Sequence, residues 1–128
     1  MTVCVDASAL LAIALQEDDA DSVTAQIAQG EFRIMSSVNY WEALVRMRKH
    51  SAESGVEVLE GIRIRLEIEV VPSTAEHARL AAATFARFGK NHQAKLNLGD
   101  CFAYATARAN DAKLIFKGND FPLTDILA

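Results

Sequence analysis

The sequence predicts an α/β sandwich built on a mainly parallel sheet, and three observations carry that prediction. Short β-branched or apolar runs alternate with helical stretches along the whole chain. Each run is nearly continuous in apolar character, as strands buried on both faces of a parallel sheet are. The chain has 128 residues, 51% hydrophobic and 23% charged, which suits one domain, spanning 1–128, with a continuous core.

Thr2 to Val5 forms the first such run, ends at Asp6-Ala7-Ser8 and hands over to Ala9 to Leu15, which reads as strand, polar turn, helix. Asp18 to Gln29 reads as a second helix, opened near Asp18 or Asp19 and stopped by Gly30, and Phe32 to Met35 as a buried strand. Ser36 and Ser37 are capping residue types ahead of Val38, Trp41, Leu44, Val45 and Arg48. That spacing puts most of the apolar members on one face of a helix reaching about Ser54. Val56 to Leu66 reads as helix, Ile68 to Val71 as strand closed by Pro72, and Glu76 to Phe88 as an alanine-rich helix capped by Ser73 or Thr74. Gly89 to Leu96 is polar and unpatterned, hence an exposed loop. A helix over about Leu98 to Asn110, a strand from Lys113 to Phe116 and a Gly118-Asn119-Asp120-Phe121-Pro122 turn complete the chain, without repeat or linker.

Composition removes several classes. A net charge of −4 excludes a protein that simply coats nucleic acid, because such proteins displace counterions with dense basic surfaces. It does not exclude a nuclease, whose carboxylates hold cations that reverse the local sign. Cys4 and Cys101 are too few for a disulfide framework and lack C-x-x-C spacing, so reduced, buried thiols are expected. No apolar run approaches the roughly 20 residues that span a bilayer, and no secretory signal opens the chain, so the expected location is the cytoplasm, away from membranes.

Four scattered carboxylates form the candidate site: Asp6, Glu42, Asp100 and Asp120. Singly, each has a structural explanation. Asp6 and Ser8 are capping types, Asp100 stands at the N3 position after an Asn97 cap, Glu42 could be a surface glutamate, and Asp120 lies in a turn. Jointly they stand where strand or loop hands over to helix, or directly after a strand. In open sheets of this class ligands gather beyond the carboxyl ends of the strands, where strand order switches. Four ionised carboxylates within about 4 Å would repel by roughly 4 kcal/mol per pair at an effective dielectric near 20, so the cluster needs cations or protons. All-oxygen ligation suits Mg²⁺, or Mn²⁺ as a substitute, and such ions promote phosphodiester hydrolysis by acidifying a water and stabilising the leaving oxygen.

Four segments carry a family resemblance: Val5-Asp6-Ala7-Ser8-Ala9-Leu10, Asn39-Tyr40-Trp41-Glu42-Ala43, Leu96-Asn97-Leu98-Gly99-Asp100-Cys101-Phe102-Ala103-Tyr104-Ala105, and Phe116 through Ile126 with Gly118-Asn119-Asp120-Phe121-Pro122. Together they resemble a PIN domain of the VapC toxin type. The resemblance implies a three-layer sandwich and a Mg²⁺-dependent endoribonuclease that leaves a 5′-phosphate and a 3′-hydroxyl. It makes Asp6 and Asp100 the principal metal ligands, with Glu42 and Asp120 completing the pocket and Ser8 as an accessory hydroxyl. It also implies an RNA substrate, a cognate VapB-type antitoxin that reaches into the acidic pocket, and a homodimer. The alternatives are a noncatalytic module that grips RNA or antitoxin, and a nuclease of the same chemistry that acts on DNA.

Other residues are assigned lesser parts. Asp125 is either a fifth acidic contributor or a cap of the last turn. Arg46, Arg48, Lys49 and His50 form a basic cluster, and Lys95 and Lys117 flank two of the acidic motifs; these residues are either ordinary solvated charge or a guide for phosphates. His92 reads as solvated in preference to positioning RNA, and Trp41, Tyr40 and Phe102 as core in preference to base-stacking platforms. There is no zinc-type His spacing, P-loop, dinucleotide glycine motif or nucleophile elbow.

Overall fold

In the computed structural model, which describes residues 1–126, the chain order is β1 (Thr2–Val5), α1 (Ala7–Ala14), α2 (Ala20–Ala28), β2 (Phe32–Ser36), α3 (Ser37–His50), α4 (Gly55–Arg65), β3 (Glu69–Val71), α5 (Ala75–Phe88), α6 (Leu98–Ala109) and β4 (Lys113–Ile115). A short 3₁₀ turn, Phe121–Leu123, follows. The strands form one parallel sheet in the order β3-β2-β1-β4.

Alternation along the strands assigns the two faces. Val3, Val5, Met35 and Ile115 point into a core made with α1 to α4, through Leu10, Ile27, Met47 and Leu59. Cys4, Ile34 and Leu114 point the other way, against α5 and α6, and meet Ala81, Phe88, Ala103 and Tyr104. The result is the expected three-layer sandwich, with a helical layer on each side of the sheet. β1 lies between β2 and β4, so the chain leaves it first to one side and later to the other; this is the switch point of an open parallel sheet.

Several expectations from sequence need correction. Asp6 is itself the N-cap, so α1 opens two residues before Ala9. The third helix stops at His50 and not near Ser54, because Ser51 turns extended (φ −148°, ψ 109°) ahead of α4. β3 is not buried on both faces: it is the sheet edge, and its Glu69 is exposed. The 89–96 loop is not simply exposed either. Ala94 and Leu96 are buried, and the Leu96 amide donates to the Phe88 carbonyl. His92 is only partly solvated; it stands edge-on to the Phe88 ring, and its Nδ1 accepts from the Ala94 amide.

Candidate active site

Three of the four expected carboxylates line one cavity of about 290 Å³ at the carboxyl end of β1, together with Ser8. Asp6 is buried where β1 hands over to α1, and it is fixed there by Ser8, whose amide (3.1 Å) and hydroxyl (2.6 Å) both donate to its Oδ2. The Ser8 hydroxyl in turn accepts from the Lys117 amide at 3.0 Å. Ser8 thereby ties the β1–α1 corner to the segment that leads from β4 to Asp120. Asp100 closes a capping box with Asn97: each side chain accepts from the other's amide, at 3.0 and 2.7 Å. Asp6 and Asp100 are therefore helix-capping residues and cavity-lining residues at once. The N-termini of α1 and α6 both abut the cavity, where their partial positive charge favours anions.

Glu42 comes from the second turn of α3, and Asn39 holds it. The fully buried Asn39 amide donates to Glu42 Oε1 at 2.8 Å and to the Gly99 carbonyl at 2.9 Å, joining α3 to the start of α6. Ser36 Oγ donates to Asn39 Oδ1 and accepts from the Asn39 backbone N–H, which completes the buried chain. Gly99 makes room: a Cβ there would lie 2.3 Å from both Glu42 carboxylate oxygens. Sequence reasoning gave no role to Asn39 or Gly99. The available signal was a carboxamide three residues before Glu42 on the same helical face.

The electrostatics follow from this burial. Burial pushes the Asp6 carboxyl above its ordinary range, against the Ser8 hydrogen bonds, and the Glu42 charge adds to the rise. Glu42 is raised by burial and by Asp100, with Asn39 and Arg46 opposing. Asp100 is pushed up to about 6, chiefly by burial and further by Asp6 and Asp120, while its bond from the Asn97 amide pulls the other way. Asp120 itself is exposed in the turn after β4 and is not part of the cavity wall, although its charge reaches Asp100. Among the described residues no three His, Cys, Asp or Glu side chains close into a ready-made metal cage. The arrangement is an open, proton-hungry, all-oxygen set. A hard cation that keeps most of its water and takes one or two carboxylates suits such a set.

Two expected assignments change. Trp41 is not core: it is 62% exposed and lines the acidic cavity. Asp125 joins neither the site nor a cap; it accepts from the Tyr104 hydroxyl and pairs with Arg87 and Arg108, clasping the C-terminal turn onto α5 and α6. Within the basic cluster, Arg46 borders the cavity, while Arg48, Lys49 and His50 are exposed outside it. Lys117 is occupied with Glu17 and Asp19. Both cysteines are buried and unpaired, and burial pushes the Cys4 thiol up to about 12 and that of Cys101 to about 11. Among the described residues no helix is long and apolar enough to cross a membrane.

Comparison with known proteins agrees with this architecture. The PIN domain family model matches residues 3–127. A Ribonuclease VapC of Mycolicibacterium smegmatis is 37% identical over 125 residues, covering 97% of each chain. Among solved structures, VapC20 of Mycobacterium tuberculosis, described as a sarcin-ricin loop cleaving toxin, superposes with a TM-score of 0.79 at 14% identity, over 98% of this chain and 96% of that one. VapBC2 of Rickettsia felis, bound to a DNA fragment from its promoter, gives a TM-score of 0.67 at 17% identity, over 89% and 86%. At such identities the structural likenesses speak for the fold.

Proposed function

Because the chain belongs to the PIN-domain family and, within it, to the VapC ribonucleases of toxin–antitoxin systems, we propose that the cavity at the end of β1 is its catalytic centre, a Mg²⁺-dependent site for RNA phosphodiester hydrolysis. The observation that carries this reading is the meeting of Asp6, Glu42 and Asp100 in one cavity, with burial and mutual charge raising all three carboxyls. PIN nucleases are typically metal-dependent, and this donor set fits a hard divalent ion. Asp6 and Asp100 would hold it, with Glu42 completing the pocket, Asp120 acting from outside the wall through its charge on Asp100, and Mn²⁺ as the expected substitute.

When bound, that ion supplies charge neutralisation and acidifies a water beside the scissile phosphate. The chain's own residues do the rest. Ser8 keeps Asp6 in one rotamer, and Asn39 aims Glu42, which accepts the proton of the attacking water. The N-termini of α1 and α6 face the developing negative charge. Water adds to phosphorus, the bond to the 3′-oxygen breaks, and that oxygen takes a proton from solvent as Glu42 returns its own, giving a 5′-phosphate and a 3′-hydroxyl. As partners we propose a VapB-type antitoxin that inserts into the same cavity and a second copy of the chain, acting in the cytoplasm.

The test is Asp100→Asn. The variant is expected to keep its circular dichroism spectrum and to lose Mg²⁺-dependent RNA cleavage. Cleavage at the unsubstituted rate would refute the assignment, and parallel incubation with single-stranded DNA of the same sequence separates RNA from DNA as substrate.

A further inference from the structure

α3 turns two i, i+4 pairs toward the cavity, Trp41 with Val45 and Glu42 with Arg46. The acidic pair of walls is explained by the hydrolytic reading, but the apolar one is not. Trp41, Val45, Leu11 and Ala7 form a surface continuous with the carboxylates, and such a surface offers nothing to a phosphate or a cation. Trp41 is 62% exposed, although tryptophan is on average a highly buried residue. Arg46 is exposed, borders the same cavity and, among the described residues, forms no ion pair within 4.0 Å.

We propose that Trp41 is a base-stacking residue: its indole receives an unpaired nucleobase next to the scissile phosphate while Arg46 takes a neighbouring backbone phosphate, which directs the enzyme to single-stranded RNA. This rests on the hydrolytic reading of the same cavity. A chain with a net charge of −4 gains little from counterion release, so affinity for RNA has to come from contacts of another kind, and base–aromatic stacking is the strongest available to an exposed indole. A base inside a duplex is already stacked and paired; only a loop or single strand presents one to a side chain.

Trp41 is the sole tryptophan, so its emission reads the contact directly. In the Asp100→Asn chain with Mg²⁺, a short single-stranded oligoribonucleotide is expected to quench the emission, the same strand in a duplex is not, and one abasic position walked along the strand should remove the quench at a single register. In the otherwise unsubstituted chain, Trp41→Ala is expected to raise KM by roughly 5- to 150-fold with kcat little changed, and Trp41→Phe to recover part of that. The fluorescence measurement keeps the proposal testable if Trp41→Ala fails to fold. Unaltered emission with saturating single strand overturns the proposal while leaving the hydrolytic reading intact, provided the unsubstituted chain still cleaves. So does an unchanged KM, including the case where Trp41→Ala instead splits a dimer in light scattering and thereby reveals a surface for a second copy. Quenching by RNA together with an unsubstituted chain that never cleaves it would sink the hydrolytic reading instead.

Discussion

Gly99 shows how much of the site depends on one missing methyl group. Its carbonyl accepts from Asn39, and the space beside its Cα is filled by the Glu42 carboxylate. Gly99→Ala therefore has two separable consequences. The clash falls on the end of a flexible side chain, and alanine favours helix over glycine by up to about 1 kcal/mol, so denaturant unfolding should show unchanged or slightly higher stability. Glu42 has to swing aside, and a displacement of about 1 Å at a catalytic group costs on the order of 100-fold in rate. A variant equally stable and equally active would show that the position of Glu42 does not matter. Single residues also explain why the sequence was ambiguous here. Asp6 and Asp100 satisfy a capping role and a site role together, so neither reading excluded the other.

At the level of elements, a polar clasp adds to the burial of Phe121 in holding the C-terminal turn. Tyr104 on α6, Arg87 on α5 and Arg108 on α6 all converge on Asp125. The two ion pairs are about half exposed and contribute little, whereas the half-buried tyrosine bond is worth about 1 kcal/mol. Asp125→Ala is therefore expected to lower unfolding free energy by about 1 kcal/mol and to speed proteolysis after Phe121, while the rest of the fold persists. A protease pattern identical to that of the unsubstituted chain would count against the clasp. Elements were readable where their apolar period and capping residues agreed, as in β1 and the α6 capping box. They were misjudged where a polar, unpatterned segment was pinned by two buried apolar residues, Ala94 and Leu96.

For the whole molecule, the cavity stores electrostatic strain that pH and cations release. A carboxyl whose pKa is raised in the fold holds its proton to higher pH there than in the unfolded chain. The metal-free fold is therefore relatively stabilised on the acid side and loses that contribution as pH rises; for Asp100 the loss runs from the ordinary aspartate value of 3.8 to about 6. Asp6 and Glu42 act in the same direction. Above that window the cavity is charged and binds cations best. Millimolar Mg²⁺ or Mn²⁺ is thus expected to raise the Tm at pH 8 and to do so less at pH 5, where protons compete for the same oxygens. A Tm insensitive to both ions at pH 8 would remove the metal from the account.

By itself the sequence determined the α/β class, the placement of Asp6 and Asp100 at element boundaries and of Glu42 in the first turns of a helix, and the family, because strand and helix periods, caps and short motifs are local patterns written in adjacent residues. Tertiary structure decided what the local pattern cannot hold. It placed Asn39 against Gly99 across 60 positions and Ser8 against Lys117 across 109, put Asp120 outside the cavity wall, and turned Trp41 toward the acids and away from the core. Those outcomes depend on which helix face meets which neighbour once the layers pack, and packing is a property of the closed molecule.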